Sequence, residues 1–498
     1  MKKNVKKFHY SCISLCFCAG VVFSTVVSIH LNINFIILIS FVIAFFFTLF
    51  NSFVFKSIGR IFFAMLAGVL FGMMRTAKIN QDRAEALSLI GGQHEIIATV
   101  SNIPQTKNNT WRFESDSLLI DGEEKRISAY ISLPVSDFIP ETGDKLSLNV
   151  TPSAGFGKYS LYLSRPVLLQ ISKPDPPSFF LRLRTCFSRK LEQLFDTQNQ
   201  DELALALGYL TGEKSYLSDD LSDSLKIVGL SHVVVASGFH LGIIVELARK
   251  SHGKLSRFGA VFASALAIIS FVSITGLSAS MLRAALISSL SLYAWYFGRK
   301  FHPARLLLYA ATISLIINPL YSLDIAWQLS FASFTGLLLL APLLQDFFYG
   351  SEKPGFIANT FIQSTAAQLC CLPLSIYSFG SFSLIGLVSN LLIPPTIPLV
   401  MLFSLLCVIF APTKLGELFV LVAKSLLGAH IWIIEKLSAL KIGFISLESG
   451  NKLTLLLFLA PITLFIFLKL RTRYDFRPLF IKPPLLEKSR KDGKIYSC

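Results

Sequence analysis

Long apolar runs separated by short charged connectors fill most of the chain, and one polar interval interrupts them. A bilayer core takes about 20 apolar residues as a helix. Three runs of that kind come early, at about Tyr10 to Ile29, Leu31 to Phe55 and Ile58 to Met74. A second block extends from about Lys226 to Leu470, with runs centred near residues 236, 268, 289, 312, 334, 368, 395, 428 and 461. Pro394, Pro395 and Pro398 break one of them. Irregular backbone at membrane depth needs protein or a water-filled cavity to satisfy it. The pattern predicts a polytopic α-helical membrane protein of about 10–12 spans, some of them broken.

From about Gln93 to Ser172 the period changes. Apolar and polar residues alternate over Glu95–Ser101, Thr110–Ile120, Lys125–Leu133, Lys145–Thr151 and Tyr159–Ser164, with Pro, Gly, Asn and Asp between. Five short strands suit a small barrel, and the OB-fold is the commonest five-stranded answer, though other small β-folds fit too. The expectation is an inserted all-β, OB-like domain. In the segment Ser178 to Phe195, Phe179, Phe180, Leu183, Phe187, Leu191 and Leu194 recur at helical spacing, with Arg182, Arg184, Arg189 and Lys190 mostly off that stripe. It predicts a basic amphipathic helix in the membrane interface. The domains expected are N-terminal transmembrane helices over 1–76, the β-domain over 92–172, the amphipathic helix over 178–197, a membrane domain over 200–470 and a basic tail over 471–498.

Composition hardens the membrane reading. The 498 residues are 53% hydrophobic and 15% charged, with a mean hydropathy of +0.60. Soluble domains carry about 25% charged residues. The net charge of +16 follows mainly from topology, because Lys2, Lys3, Lys6, Lys7, Arg249, Lys250, Lys254, Arg257 and the tail from Lys469 lie where cytoplasmic loops concentrate positive charge. Basic termini on the cytoplasmic side require an even number of spans, which three plus nine supplies. The β-domain then lies outside, and its seven Lys/Arg against nine Asp/Glu exempt it from the positive-inside bias. The basic, apolar N-terminus reads as a retained first span. The cysteines show no metal spacing.

The densest chemistry lies in GYLTGEKSYLSDDLSDSLKIVGLSHVVVASGFHLGIIV, residues 208–245. Read as a helix, its end carries Ser231, His232, Ser237 and His240, and Ser237 and His240 share a face. Gly238 and Gly242 have the spacing that lets membrane helices approach closely, so they read as packing residues. Ionisable groups inside a span usually face a partner or a water-filled path. His232 and His240 are offset by about 80° around a helix, with no acidic or Cys ligand to match. No metal or cofactor is expected.

This segment resembles the signature of the ComEC competence family: a glycine, a Ser or Thr, a His, a short apolar run, then Ser-Gly-x-His. The matching residues are Gly229, Ser231, His232, Ser237, Gly238 and His240. Two further blocks follow in the family's order. One holds Arg283, then Asn318, Pro319, Asp324, Gln328, Leu329 and Ser330; the other holds Gln368, Pro373, Gly380 and Asn390. The resemblance spans about residues 60–470 and includes the external β-domain.

The resemblance implies an inner-membrane channel that passes single-stranded transforming DNA into the cytoplasm. His232, Ser237, His240, Arg283, Asp324, Gln328 and Asn390 are the expected pathway residues. Weak contacts suit conduction. Asp324 equally fits a helix cap, Arg283 a snorkelling side chain, and Gln368 and Asn390 inter-helix contacts. In the β-domain Trp111, Phe113, Tyr130, Phe156 and Tyr159 are candidate stacking platforms, against a net charge that steers a polyanion poorly. Many family members also carry a metallo-β-lactamase-like nuclease domain. The tail from Arg471 to Cys498 contains no histidine, so no enzyme activity is expected and a separate nuclease is implied. A DNA receptor, a cytoplasmic motor and self-association into a homo-oligomer are the other partners implied, besides lipid. The competing reading is a proton-coupled transporter of a smaller anionic solute, with His232, His240 and Asp324 as a relay. A membrane-embedded serine enzyme fits worse, because Ser237 and His240 side by side on one helix lack the needed geometry.

Overall fold

The computed structural model describes residues 14–26 apart from 16, and 56–446 apart from short intervals that include 174–178, 196–199, 235–240, 247–255, 299–301 and 350–353. The runs Leu31–Phe55 and near 461, the tail 471–498, and Ser237, Gly238 and His240 lie outside the described residues.

Helix α1 (Phe17–Val26) is apolar and short. Its partner α2 (Lys56–Ser88) has 33 residues, about 50 Å of helix. Gly68 and Gly72 let the two backbones meet: a Cβ on Gly68 would strike the Phe17 carbonyl, and one on Gly72 would come to 2.9 Å from Thr25 Oγ1. Helix α2 outlasts the span predicted to end at Met74. Arg75 donates to the Ile316 carbonyl at 2.7 Å, and Ala86 is fully buried in the core of the β-domain. One continuous helix thus runs from the helical bundle into the β-domain.

That domain has two five-stranded sheets. One has the order β10 (Val167–Ser172), β7 (Lys145–Val150), β1 (His94–Thr99), β4 (Leu118–Ile120), β5 (Glu123–Lys125). The other has the order β2 (Gln105–Lys107), β3 (Thr110–Ser115), β6 (Ala129–Pro134), β9 (Leu161–Ser164), β8 (Ser153–Ala154). The pairing of β6 with β9 is parallel. The five predicted runs are all present as strands, and two of them divide between the sheets: Thr110–Ile120 supplies β3 and β4, and Lys125–Leu133 supplies β6 with the end of β5. Ile96, Ala98, Phe113, Ile131, Leu146, Leu148, Leu161 and Leu163 fill the space between. Strand alternation therefore turns Phe113 into the core, with Trp111 packed against it, and neither is the surface platform expected. Tyr130 and Tyr159 do form a ring pair, with centroids 5.2 Å apart, and Tyr162 stacks on Tyr130 at 6.0 Å. Phe156 is outside the described residues.

The rest is helical. In helix α3 (Phe179–Leu194), Phe187, Leu191 and Leu194 pack into the main core with α4 (Gln200–Thr211) and α5 (Asp219–Ile227). The side chains of Phe179, Phe180 and Leu183, the other half of the apolar stripe, lie outside the described residues. Helices α6 (Arg257–Thr275), α7 (Ala279–Tyr296) and α8 (Pro303–Ile317) follow. A 3-10 turn over Pro319–Leu323 leads into α9 (Ile325–Thr335), a π turn at Gly336–Leu340, α10 (Ala341–Tyr349) and α11 (Phe356–Phe379). Strand β11 (Ser381–Ser383), α12 (Gly386–Leu392), a 3-10 turn at Pro394–Thr396, α13 (Ile397–Phe410), α14 (Lys414–Leu440) and β12 (Phe444–Ser446) complete it.

Among the described residues, four stretches are long and apolar enough to cross a membrane: Arg257–Thr275, Ile325–Tyr349, Gly386–Phe410 and Lys414–Leu440. They coincide with the runs near 268, 334, 395 and 428, and the proline break near 395 is the 3-10 turn. On α6, Phe258, Phe262, Leu266 and Ile269 point outward uncovered, a stripe that hydrocarbon would solvate. The start of the run near 236 departs from expectation. Ser231 to Val233 form a turn, so Ser231 and His232 are not on a helix; residues 235–240 lie outside the described residues.

Gly72→Leu is expected to lower stability by about 1–3 kcal/mol through overpacking, while Met74→Ala, 71% exposed, changes it by less than about 0.5. Thermal unfolding of the purified full chain would compare them.

Candidate functional site

The segment that carries the first signature block begins as a helix stop. At the end of α5, Leu230 N–H reaches back to the Leu225 carbonyl at 2.9 Å and Gly229 N–H to Lys226 at 3.1 Å. Gly229 has φ of 71°. This is a Schellman ending, and its left-handed position is the reason for glycine there. Such an ending still leaves carbonyls open. Ser389 donates its hydroxyl to the Val228 carbonyl at 2.7 Å, and Ser383 to that of Ile227 at 2.5 Å. Gly386 completes the contact: a Cβ on Gly229 would lie 3.3 Å from the Gly386 Cα, and one on Gly386 would lie 3.0 Å from Gln368 Nε2. The first and third blocks are thus assembled around Gly229, Gln368, Gly386 and Ser389.

The second block joins through the same helix. Gln368 and Cys371 are three apart on α11 and share a face. Cys371 Sγ donates to the Leu329 carbonyl of α9 at 3.4 Å. Arg283 of α7 lies beside it, with its guanidinium 5.4 Å over the Phe334 ring of α9. One turn earlier, Ser280 and Ser330 bond across α7 and α9 at 3.1 Å. Arg283 Nε is buried without a partner, and the guanidinium makes no hydrogen bond or ion pair to any described residue. Pro373 within α11 and the π turn after α9, where Gly336 rests on the Ala366 backbone, put irregular backbone beside this cation.

Asp324 and Gln328 lie elsewhere. Asp324 Oδ1 caps α9, accepting from Ala326 N–H at 2.8 Å and Trp327 N–H at 3.3 Å. Gln328 Nε2 donates to the Ser322 carbonyl at 2.7 Å. Ten residues of helix separate Asp324 from Phe334, about 15 Å. Asp324 therefore caps α9 and does not meet Arg283. Its other oxygen meets the β-domain: Lys158 Nζ is 2.9 Å from Asp324 Oδ2 and 2.9 Å from Glu114 Oε2. Glu114 Oε1 accepts from the Tyr159 hydroxyl at 2.7 Å. Burial opposes the ammonium charge, but Glu114 and Asp324 outweigh it and hold Lys158 above its ordinary 10.5.

Among the remaining candidates, His232 is exposed in its turn and Asn390 is half-buried on α12. Nothing among the described residues lies within 4 Å of a Cβ built on Gly242, so the expected packing contact is not seen there. Sequence reasoning missed His430. Its Nδ1 lies 3.4 Å from the Tyr209 hydroxyl and its Nε2 2.7 Å from Thr396 Oγ1. Thr396 donates its proton to the Ile393 carbonyl, which leaves its oxygen to accept from Nε2. The chain of contacts pins the proline break. A histidine within an apolar run was the available signal, the same one that drew attention to His232. Lys158, in a loop, offered none.

Fold and site together define a helical protein with membrane-length apolar helices, an inserted β-domain and a seam of broken helices. Residues 209–472, more than half of the 498, match the family described as Competence protein, and the chain belongs to that family, the ComEC group of the sequence resemblance. ComE operon protein 3 of Bacillus subtilis (strain 168) is similar, at 26% identity over 200 residues, 39% of this chain and 25% of that protein. The chain thus spans about a quarter of the curated relative it matches. No solved structure matches. The family match leaves the β-domain uncovered.

Ser389→Ala should cost about 1–3 kcal/mol by leaving the Val228 carbonyl unsatisfied, and Gly229→Ala should strain the left-handed stop by about 1–2 kcal/mol. Denaturation of the full chain tests both. Lys158 titrates higher folded than unfolded, so its contribution is whole below about 10.5 and disappears as pH rises through the folded value. The stability difference between wild type and Lys158→Met should stay flat from about pH 6 to about pH 9.

Proposed function

We propose that this protein conducts single-stranded DNA across the inner membrane into the cytoplasm during natural competence. Membership of the competence family supports a part in DNA uptake. Arg283 carries the finer reading. A half-buried cation within a membrane bundle is costly and is usually paired with an anion, yet Arg283, set over the Phe334 ring, has no anionic partner among the described residues. A passing phosphodiester backbone would supply the missing charge without being trapped by a closed site. The seam of Arg283, Cys371, Gln368, Gly386 and Gly229 is the proposed path. Ser237 and His240, which follow Gly229 in the chain, belong to it on the strength of the family resemblance.

Both termini then face the cytoplasm and the β-domain faces outward. The two-sheet pattern, with the chain alternating between the sheets and one parallel pairing, supports an OB-type reading of that domain. Hydrolysis of the other strand is assigned to a separate nuclease, delivery to a receptor and traction to a cytoplasmic motor; homo-oligomers are compatible with the path. The alternative of a proton-coupled carrier for small anions is weaker. It needs Asp324 as a relay, and both oxygens of Asp324 are committed to the α9 cap and Lys158.

Deletion should leave DNA bound at the cell surface and abolish its entry into the cytoplasm. Arg283→Gln should lower entry by about tenfold or more, the scale of a lost charged hydrogen bond, with Arg283→Lys retaining part of it. Labelled DNA and small labelled anions, followed in the same cells, test this. Normal DNA entry with impaired anion uptake would sink the channel reading.

A further inference from the structure

We infer that Lys158 is a positioning residue, which transmits the placement of the β-domain to α9 and so to the seam around Arg283. The joint is built for more than attachment. A helix cap needs one acceptor, and Asp324 Oδ1 alone provides it. Asparagine or serine would cap as well. The second oxygen of Asp324 has one described use, the Lys158 ammonium at 2.9 Å. Glu114 is likewise fully spent, on Lys158 and on Tyr159. One ammonium thus holds two carboxylates together, one on β3 and one at the head of α9. The Asp324 side chain is 9% exposed and that of Lys158 23%, so water screens the bridge little. Without the lysine, the buried Asp324 carboxylate and the half-buried Glu114 carboxylate would face each other unneutralised.

From Asp324 the path inward is stiff. Gln328 ties the first turn of α9 to the Ser322 carbonyl. Trp327 Nε1 donates to Ser314 of α8 at 3.0 Å. Ser330 meets Ser280 of α7, and Phe334 lies under Arg283. A displaced first turn must carry Ser330 and Phe334 with it, because helix segments move as units. The β-domain therefore sets the register of the helix that faces Arg283. What that register controls rests on the channel reading; the joint itself does not.

Amide hydrogen exchange on the intact, purified chain tests it. In Lys158→Met, exchange should rise at least threefold across residues 330–340, beyond the reach of the cap, and Lys158→Arg should return it toward wild type. Asp324→Asn keeps the cap and loses the charge, so it should reproduce Lys158→Met, and the double variant should add nothing. If Lys158→Met does not fold, Glu114→Gln loosens the other half of the joint and should give the same pattern. Exchange that changes only in the β-domain and at residues 324–327, or not at all, would overturn the inference. DNA entry in Arg283→Gln is judged separately: normal entry there defeats the channel reading and leaves the exchange result standing.

Discussion

Two backbone carbonyls at the end of α5 set the terms for the rest of the helical bundle. Away from water every such group must find a partner within the protein. A helix that stops at Gly229 exposes Ile227 and Val228, and the hydroxyls of Ser383 and Ser389 meet them. Those serines come from a segment more than 150 positions later in the chain. For them to arrive, α11 must end at Gly380 and the chain must turn back through Gly386. The close approach of Gly229 and Gly386 is the geometric result. Broken helices here are the means by which distant blocks are held in register, and the polar seam follows from satisfying them.

The β-domain is held by quite different forces at its two ends. Ala86 of α2 enters its apolar core, while Lys158 reaches Asp324 through a buried ion pair. The first contact is broad and non-directional. The second is narrow and depends on two oxygen-to-nitrogen geometries at once. A domain fastened by both has little freedom to rock without breaking one.

Much of this was legible in the residues. Helical periods and the proline cluster near 395 marked the broken span. The alternation from Glu95 to Ser164 marked strands, although it could not show that one run would bend across two sheets. Signature glycines were recognisable, but their reason was not: Gly229 works through a positive φ and a neighbour at Gly386, neither of which spacing reveals. Asp324 was visible as a helix cap, and its Oδ1 does cap α9; that its other oxygen meets Lys158 was not. Phe113 looked available for stacking because alternation alone does not say which face is covered. Lys158 was invisible, since a lysine in a loop gains meaning only from what folds against it.

The length of α2 has a consequence of its own. Its 33 residues make about 50 Å of continuous helix. The part beyond Arg75, which still touches α8, acts as a stand-off of fixed height and fixed phase. Each residue of a helix turns the chain by about 100°, so the azimuth of the β-domain is counted in residues of α2. Lys158 faces Asp324 because that count is right, much as a key fits a keyway only at one rotation of the shaft.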